Sequence, residues 1–147
     1  MRLSEHFDSS EFDCHGFTEH HYCNCGGQGD KMDPKFIEEL EKLRYSIGGL
    51  PLYINSGFRC LEWNKSPYVG GAGDSQHCHH CAADIAIPAG LTAGQFKWYA
   101  MQLNFDGIGI YPRDYDGNWI EASRAPQGWL HLDGRDGCIG PYYFWEG

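Results

Sequence analysis

Between residues 33 and 49 the apolar side chains fall at Phe36, Ile37, Leu40 and Leu43, the spacing of a single helical face. Asp33 offers a capping carboxylate, Pro34 suits the first helical position, and Gly48–Gly49 stop the run, so a helix is predicted here. In LPLYINSGFR (50–59), Leu52 and Ile54 alternate with other residues, which predicts a strand ending at Ser56-Gly57. AADIAI (82–87) is apolar apart from Asp84 and reads as a buried strand. LTAGQFKWYAMQLN predicts a second helix, capped by Thr92, with Phe96, Tyr99, Ala100 and Leu103 on its buried face. GIGIY (107–111) and WLHLD (129–133) complete the strands, and Asp116-Gly117 between them is a hairpin-turn signal.

The resulting order is helix, strand, strand, helix, strand, strand. It predicts an α+β fold: a small, mostly antiparallel sheet with two main helices packed on it, preceded by an irregular segment rich in Cys, His and Gly over residues 1–32. No repeat, low-complexity tract or linker interrupts the chain, so residues 1–147 are expected to form one domain. Composition agrees with a packed core, since 41% of residues are hydrophobic and 15% aromatic. No apolar run approaches the roughly 20 residues of a membrane span. The opening MRLSEHFDSSEF lacks the apolar stretch of a secretory signal, so synthesis in the cytoplasm without a signal peptide is expected. Twenty acidic against eleven basic residues give a net charge of −9. Such a surface repels phosphate backbones and anionic lipid, which argues against nucleic acid and membrane partners. A soluble monomer is expected.

Seven cysteines, an odd number that cannot all pair within one chain, accompany eight histidines. In a reduced compartment thiols at this density more often serve metals than disulfides. The densest stretch is GDSQHCHHCAADIAI (73–87). Asp84 stands out there, because a carboxylate in an apolar strand is expensive to bury unless paired or metal-bound. His77 lies seven residues before it, and His131 sits on the later strand with Asp133 on the same face by alternation. Two imidazoles and one carboxylate supply three of the four positions of tetrahedral zinc, with the fourth left for water as in catalytic sites. By spacing alone, core or surface histidines satisfied by their neighbours are the commoner reading.

Taken together, SGFRC, VGGAGDSQHCHHCAADI, GIGIYP and WLHLDGR resemble the zinc D-Ala-D-Ala carboxypeptidase superfamily, the LAS-type peptidases, in its single-domain branch of phage and prophage peptidoglycan peptidases. LSEHFDSSEF and the 34–45 helix extend the resemblance over most of the chain. It implies the hedgehog/DD-peptidase-like fold and a Zn2+ ion held by His77, Asp84 and His131. It implies Arg59 as the residue that engages a substrate carboxylate or carbonyl, and Ser75 and Gln76 as residues flanking the ligand and meeting substrate or supporting it. The expected activity is hydrolysis of peptidoglycan stem peptides, at D-Ala-D-Ala or L-Ala-D-Glu bonds, on the bacterial cell wall after release or as part of a phage particle. Many relatives carry an acid three residues before the last ligand, where this chain has Gly128; Asp133 is therefore the expected general base, with Glu121 in reserve.

Two departures bear on these expectations. His80 and Cys81 replace a glycine and a basic residue, creating CHHC (78–81). Cys78 and Cys81, with Cys14, Cys23, Cys25 or Cys60 and an imidazole from His15, His20 or His21, are candidates for a second, structural metal; disulfides such as Cys25–Cys60 and free thiols are the alternatives. Residues 113–128 are longer than the usual turn and predict a hairpin placing Tyr115 and Trp119 at the cleft rim or in solvent. A non-catalytic zinc-containing wall-binding or phage-structural module is the contrasting function, and thiol redox chemistry at Cys78 and Cys81 a third.

Overall fold

The computed structural model describes residues 1–147. One five-stranded sheet organises it, in the order β1 (Ile54–Ser56), β2 (Ala82–Ala86), β4 (Gln127–Asp133), β3 (Gly107–Arg113) and β5 (Tyr143–Glu146). All pairings are antiparallel except β3 with β5, which is parallel. The expected α+β class holds, and the sheet is mixed rather than purely antiparallel.

Helix α2 (Pro34–Ser46) forms as its signals require: the Asp33 carboxylate accepts from the Lys35 N–H at 3.0 Å, and Gly48 and Gly49 take the positive φ that ends it. Helix α4 (Ala93–Met101) opens with a reciprocal cap between Thr92 and Gln95. It stops before Leu103, which is only partly buried. Two single-turn helices, α1 (His15–Thr18) and α3 (Leu61–Asn64), lie in the irregular segments.

Alternation divides the sheet into two faces. Ala83, Ile85, Leu130, Leu132, Ile108 and Ile110 are buried on one, in the same apolar cluster as Phe36, Leu40 and Leu43 of α2 and Phe96 and Ala100 of α4. The other face carries a row across all five strands: Ser56, Asp84, His131, Gly109 and Trp145 occupy paired positions. The predicted strand over 50–59 is realised only at Ile54–Ser56. Pro51 has no N–H to donate, the register slips between Ile54 and Ser56, and the chain then leaves the sheet, with Phe58 N–H donating to Phe12 and Arg59 N–H to His77. In the longer segment after β3, Asp114 accepts from Asp116 and Asn118 N–H groups and closes the turn around Gly117. Tyr115 is exposed there, and Trp119 donates its indole N–H to Glu146 of β5.

Candidate metal centre

His77 lies on a 3-10 turn (Gln76–His79) whose first N–H groups are capped by Ser75; the Ser75 hydroxyl accepts from the His77 N–H at 3.3 Å. The His77 ring sits 2.7 Å through Nδ1 from the Gly57 carbonyl, a contact that requires a proton on Nδ1 and leaves the Nε2 lone pair free. Asp84 and His131 are direct cross-strand partners on β2 and β4. His131 faces the opposite way round: Nε2 lies 2.9 Å from the Asp133 carboxylate, leaving Nδ1 free.

The free atoms converge. His77 Nε2 to Asp84 Oδ1, His131 Nδ1 to Asp84 Oδ1, and His131 Nδ1 to His77 Nε2 are each 3.2 Å. Tetrahedral bonds of about 2.0–2.1 Å, the zinc–imidazole length, place neighbouring donors about 3.3 Å apart. The donor set therefore fits a small divalent metal, with each imidazole fixed from behind by a hydrogen bond. Electrostatics point the same way. Burial works to raise the Asp84 pKa, yet the facing rings of His131 and His77 hold its carboxyl well below the usual range. Burial pushes His77 down, keeping that ring neutral. For His131 burial works downward too, but the Asp133 and Asp84 carboxylates raise it overall. Two carboxylates set against the two imidazoles, one in front of His131 and one behind it, make a centre that favours a cation.

A cavity of about 310 Å³ opens beside the two histidines, lined also by Arg59, Asp74, Ser75, Gln76, Tyr111, Arg135 and Trp145. A larger concavity, about 690 Å³, lies between residues 1–6 and α2 and shares no lining residue with it. Size does not select the site; the convergent donors do. Arg59 reaches the cavity half-buried, with no hydrogen-bond partner for its Nε. Its backbone is fixed by the Arg59 N–H donating to the His77 carbonyl at 2.9 Å. A desolvated guanidinium without an internal partner is costly, so its placement favours an anionic or carbonyl group from outside.

Asp133 is not where a base would be useful. It is fully buried behind His131, with one oxygen on His131 Nε2 and both oxygens gripped by the Arg135 guanidinium at 2.8–2.9 Å. This is at odds with the base role expected of it and makes Asp133 an orienting partner of His131. Glu121, the reserve, is exposed, pairs with Arg124 and does not line the cavity. Asp74 is the one carboxylate that does.

The remaining thiols separate. Cys14, Cys23, Cys25 and Cys60 bring their sulfurs together, whereas Cys78 and Cys81 lie outside that group, as do His15, His20 and His21. All seven cysteines are free of disulfides. Burial pushes the Cys81 thiol up to about 11 and Cys78 upward as well, the reverse of an activated redox pair.

Sequence reasoning missed Arg135, Tyr111 and Trp145. The available signal was the Gly-Ile-Gly-Ile alternation of β3, which leaves its site face bare at Gly107 and Gly109, before Tyr111. A Cβ at Gly107 would lie 2.7 Å from Asp133 Cγ, and one at Gly109 2.7 Å from Trp145 Cζ2. Gly109→Ala is expected to push the indole away, breaking its 2.9 Å hydrogen bond to the Tyr111 hydroxyl, and to cost about 1–3 kcal/mol of stability. Urea denaturation checks this; wild-type stability would mean that the indole does not need the bare strand.

A family model for Peptidase M15 matches residues 5–119, which takes in α2, Arg59, His77 and Asp84 and stops before β4. A zinc D-Ala-D-Ala carboxypeptidase from Streptomyces albus G is 30% identical over 77 residues, 47% of this chain and 29% of that protein. The aligned stretch is thus less than a third of that relative. His131 lies beyond the family match, and its place in the cluster rests on strand register. With well over half of its length matched, the chain belongs to the Peptidase M15 family.

Proposed function

We propose that the protein is a zinc-dependent metallopeptidase that hydrolyses peptide bonds in peptidoglycan stem peptides at the bacterial cell wall, as a D-Ala-D-Ala carboxypeptidase or L-Ala-D-Glu endopeptidase. The observation that carries this reading is the equilateral set of His77 Nε2, Asp84 Oδ1 and His131 Nδ1 beside a cavity holding the unpaired Arg59. Family membership and the zinc carboxypeptidase relative support it. Residues 1–147 act as one domain and as a monomer.

In this reading His77, Asp84 and His131 hold the ion, which when bound supplies a Lewis acid for the scissile carbonyl and lowers the pKa of water. Arg59 binds the substrate carboxylate or carbonyl and fixes its direction. Asp74, from the cavity wall, takes the proton of the attacking water and delivers it to the leaving amine. Asp133, locked by Arg135, keeps His131 Nδ1 turned to the centre. Tyr111 and Trp145 wall the cavity and exclude bulk water from one side.

Incubation with defined muropeptides, followed by mass spectrometry, tests this. The expected result is release of D-Ala or of new amino termini, lost on chelation and restored by zinc. Arg59→Ala is expected to lower kcat/KM about 10–100-fold, the value of a hydrogen bond to a charged group. Asp74→Asn is expected to lower kcat about 10²–10⁴-fold with metal content unchanged. Asp133→Asn is expected instead to weaken metal binding about 10–100-fold. The buried, occupied state of Asp133 and the glycine at 128 favour one other reading, a zinc-containing module that binds wall peptides without cleaving them. Stoichiometric binding with no product would establish that reading and overturn the enzyme.

A further inference from the structure

Residues 13–31 contain only α1 and a three-residue 3-10 turn, yet Cys14 and Cys23 within them are buried. Their sulfurs meet those of Cys25 and Cys60. Cys14 to Cys23 is 3.9 Å, Cys14 to Cys60 3.9 Å and Cys23 to Cys25 3.7 Å, and all four sulfurs lie within 4.8 Å of one another. Disulfides hold sulfurs about 2.05 Å apart, so none of these pairs is bonded. A tetrahedron of thiolates around zinc, with bonds of about 2.3 Å, has edges of about 3.8 Å.

The backbone around the sulfurs supplies a second, independent observation. The N–H groups of Gly16, Cys25 and Gly27 are directed at the sulfurs of Cys14, Cys23 and Cys25, each two residues ahead of its cysteine. The Trp63 N–H donates to Cys60 Sγ at 3.4 Å. After Cys25 the turn is made by Gly26 and Gly27 at φ 82° and 83°, a conformation open to glycine. Every sulfur is thus approached by a backbone donor, which suits an acceptor of negative charge better than a buried neutral thiol.

We propose that Cys14, Cys23, Cys25 and Cys60 form a closed tetrathiolate site for a second Zn2+ ion, separate from the His77–Asp84–His131 centre. On binding, the four thiols release four protons to solvent, and two units of negative charge remain on the site, facing the backbone donors. With four protein ligands no position is left for water or substrate, so the role is structural. Cys60 follows Arg59 directly, and Cys14 lies between Asp13 and α1. The ion therefore ties the N-terminal segment, which has little secondary structure of its own, to the loop that carries Arg59 into the cavity.

The test counts metal on the full-length protein purified in zinc-containing, reducing buffer. Two zinc ions per chain are expected, falling to one in His77→Ala and to one in Cys23→Ser. Because Cys23→Ser can misfold, the wild type is also loaded with cobalt. Intense sulfur-to-cobalt charge-transfer absorption, retained in His77→Ala, is expected of the thiolate site and cannot arise from the His/Asp centre. One metal per chain without that absorption, or four of these cysteines recovered as two disulfides from protein purified under reducing conditions, would overturn the proposal while leaving the peptidase reading untouched.

Discussion

On the proposed function, His77→Ala is expected to abolish peptidase activity while leaving the protein folded, and to leave the His/Asp centre unable to hold zinc. His77 contributes one of three donors that meet at 3.2 Å, and its removal leaves Asp84 and His131 as an incomplete pair. Losing a partner behind a ligand typically weakens metal binding about 10–100-fold; losing the ligand itself must exceed that. A zinc ion held there would supply several kcal/mol of transition-state stabilisation, so turnover should fall on the order of 10³-fold or more. The fold is expected to survive because His77 sits on a short turn outside the sheet, and the apolar face under β2, β3 and β4 does not include it. His79, exposed on the same turn, is the matched control: His79→Ala should retain metal and rate. Elemental analysis alongside muropeptide turnover reads both. An active His77→Ala protein with a full complement of metal would end the assignment of this centre.

The contrast between those two neighbouring histidines shows what the chain discloses on its own. The helices were legible because their signals are local: Asp33-Pro34 and Thr92–Gln95 open them, and the Gly48–Gly49 pair closes the first. Asp84 was legible as an anomaly, a carboxylate inside an apolar strand, and alternation placed His131 and Asp133 together. Alternation does not say which ring nitrogen faces which neighbour. That depends on a side-chain torsion set by the Arg135 clamp on Asp133, and so the carboxylate expected to act as base lies behind the ring instead. Strand β5 was invisible for a related reason. YFWE shows no period of its own, and its pairing with β3 is fixed by bare glycines that accept Trp145 from 36 residues away. Long-range pairing of this kind is decided by packing rather than propensity. The four clustered cysteines were visible as residues, but sequence could not separate them from Cys78 and Cys81, which differ in position rather than in spacing.

Asp106 is the other residue on which much depends, and nothing in its surroundings along the chain marks it. Its side chain is fully buried, and no cation pairs with it. Instead Oδ2 accepts from the Asp136 and Cys138 N–H groups at 2.9 Å, and Oδ1 from Ile139 at 2.9 Å and Gly140 at 2.6 Å. The Asp106 carbonyl accepts in turn from the Tyr142 and Tyr143 N–H groups, at the start of β5. One residue therefore gathers the whole connection from β4 to β5. Asp106→Ala would leave four donors with no acceptor in a segment that cannot refold around them without releasing β5. The expected loss is about 3–5 kcal/mol, seen as a lower urea midpoint, because stranded buried donors forfeit their desolvation cost as well as the bond. Asp106→Asn should fall between, since its amide keeps one acceptor oxygen and turns two donors toward N–H groups. The Asp136 side chain, exposed on the same loop, should tolerate alanine within about 0.5 kcal/mol. Because β5 carries Trp145 into the cavity, the surviving folded fraction of Asp106→Ala should also show a raised KM at unchanged metal content. Wild-type stability in that variant would mean that the connection is held by the sheet alone and that the carboxylate is incidental to it.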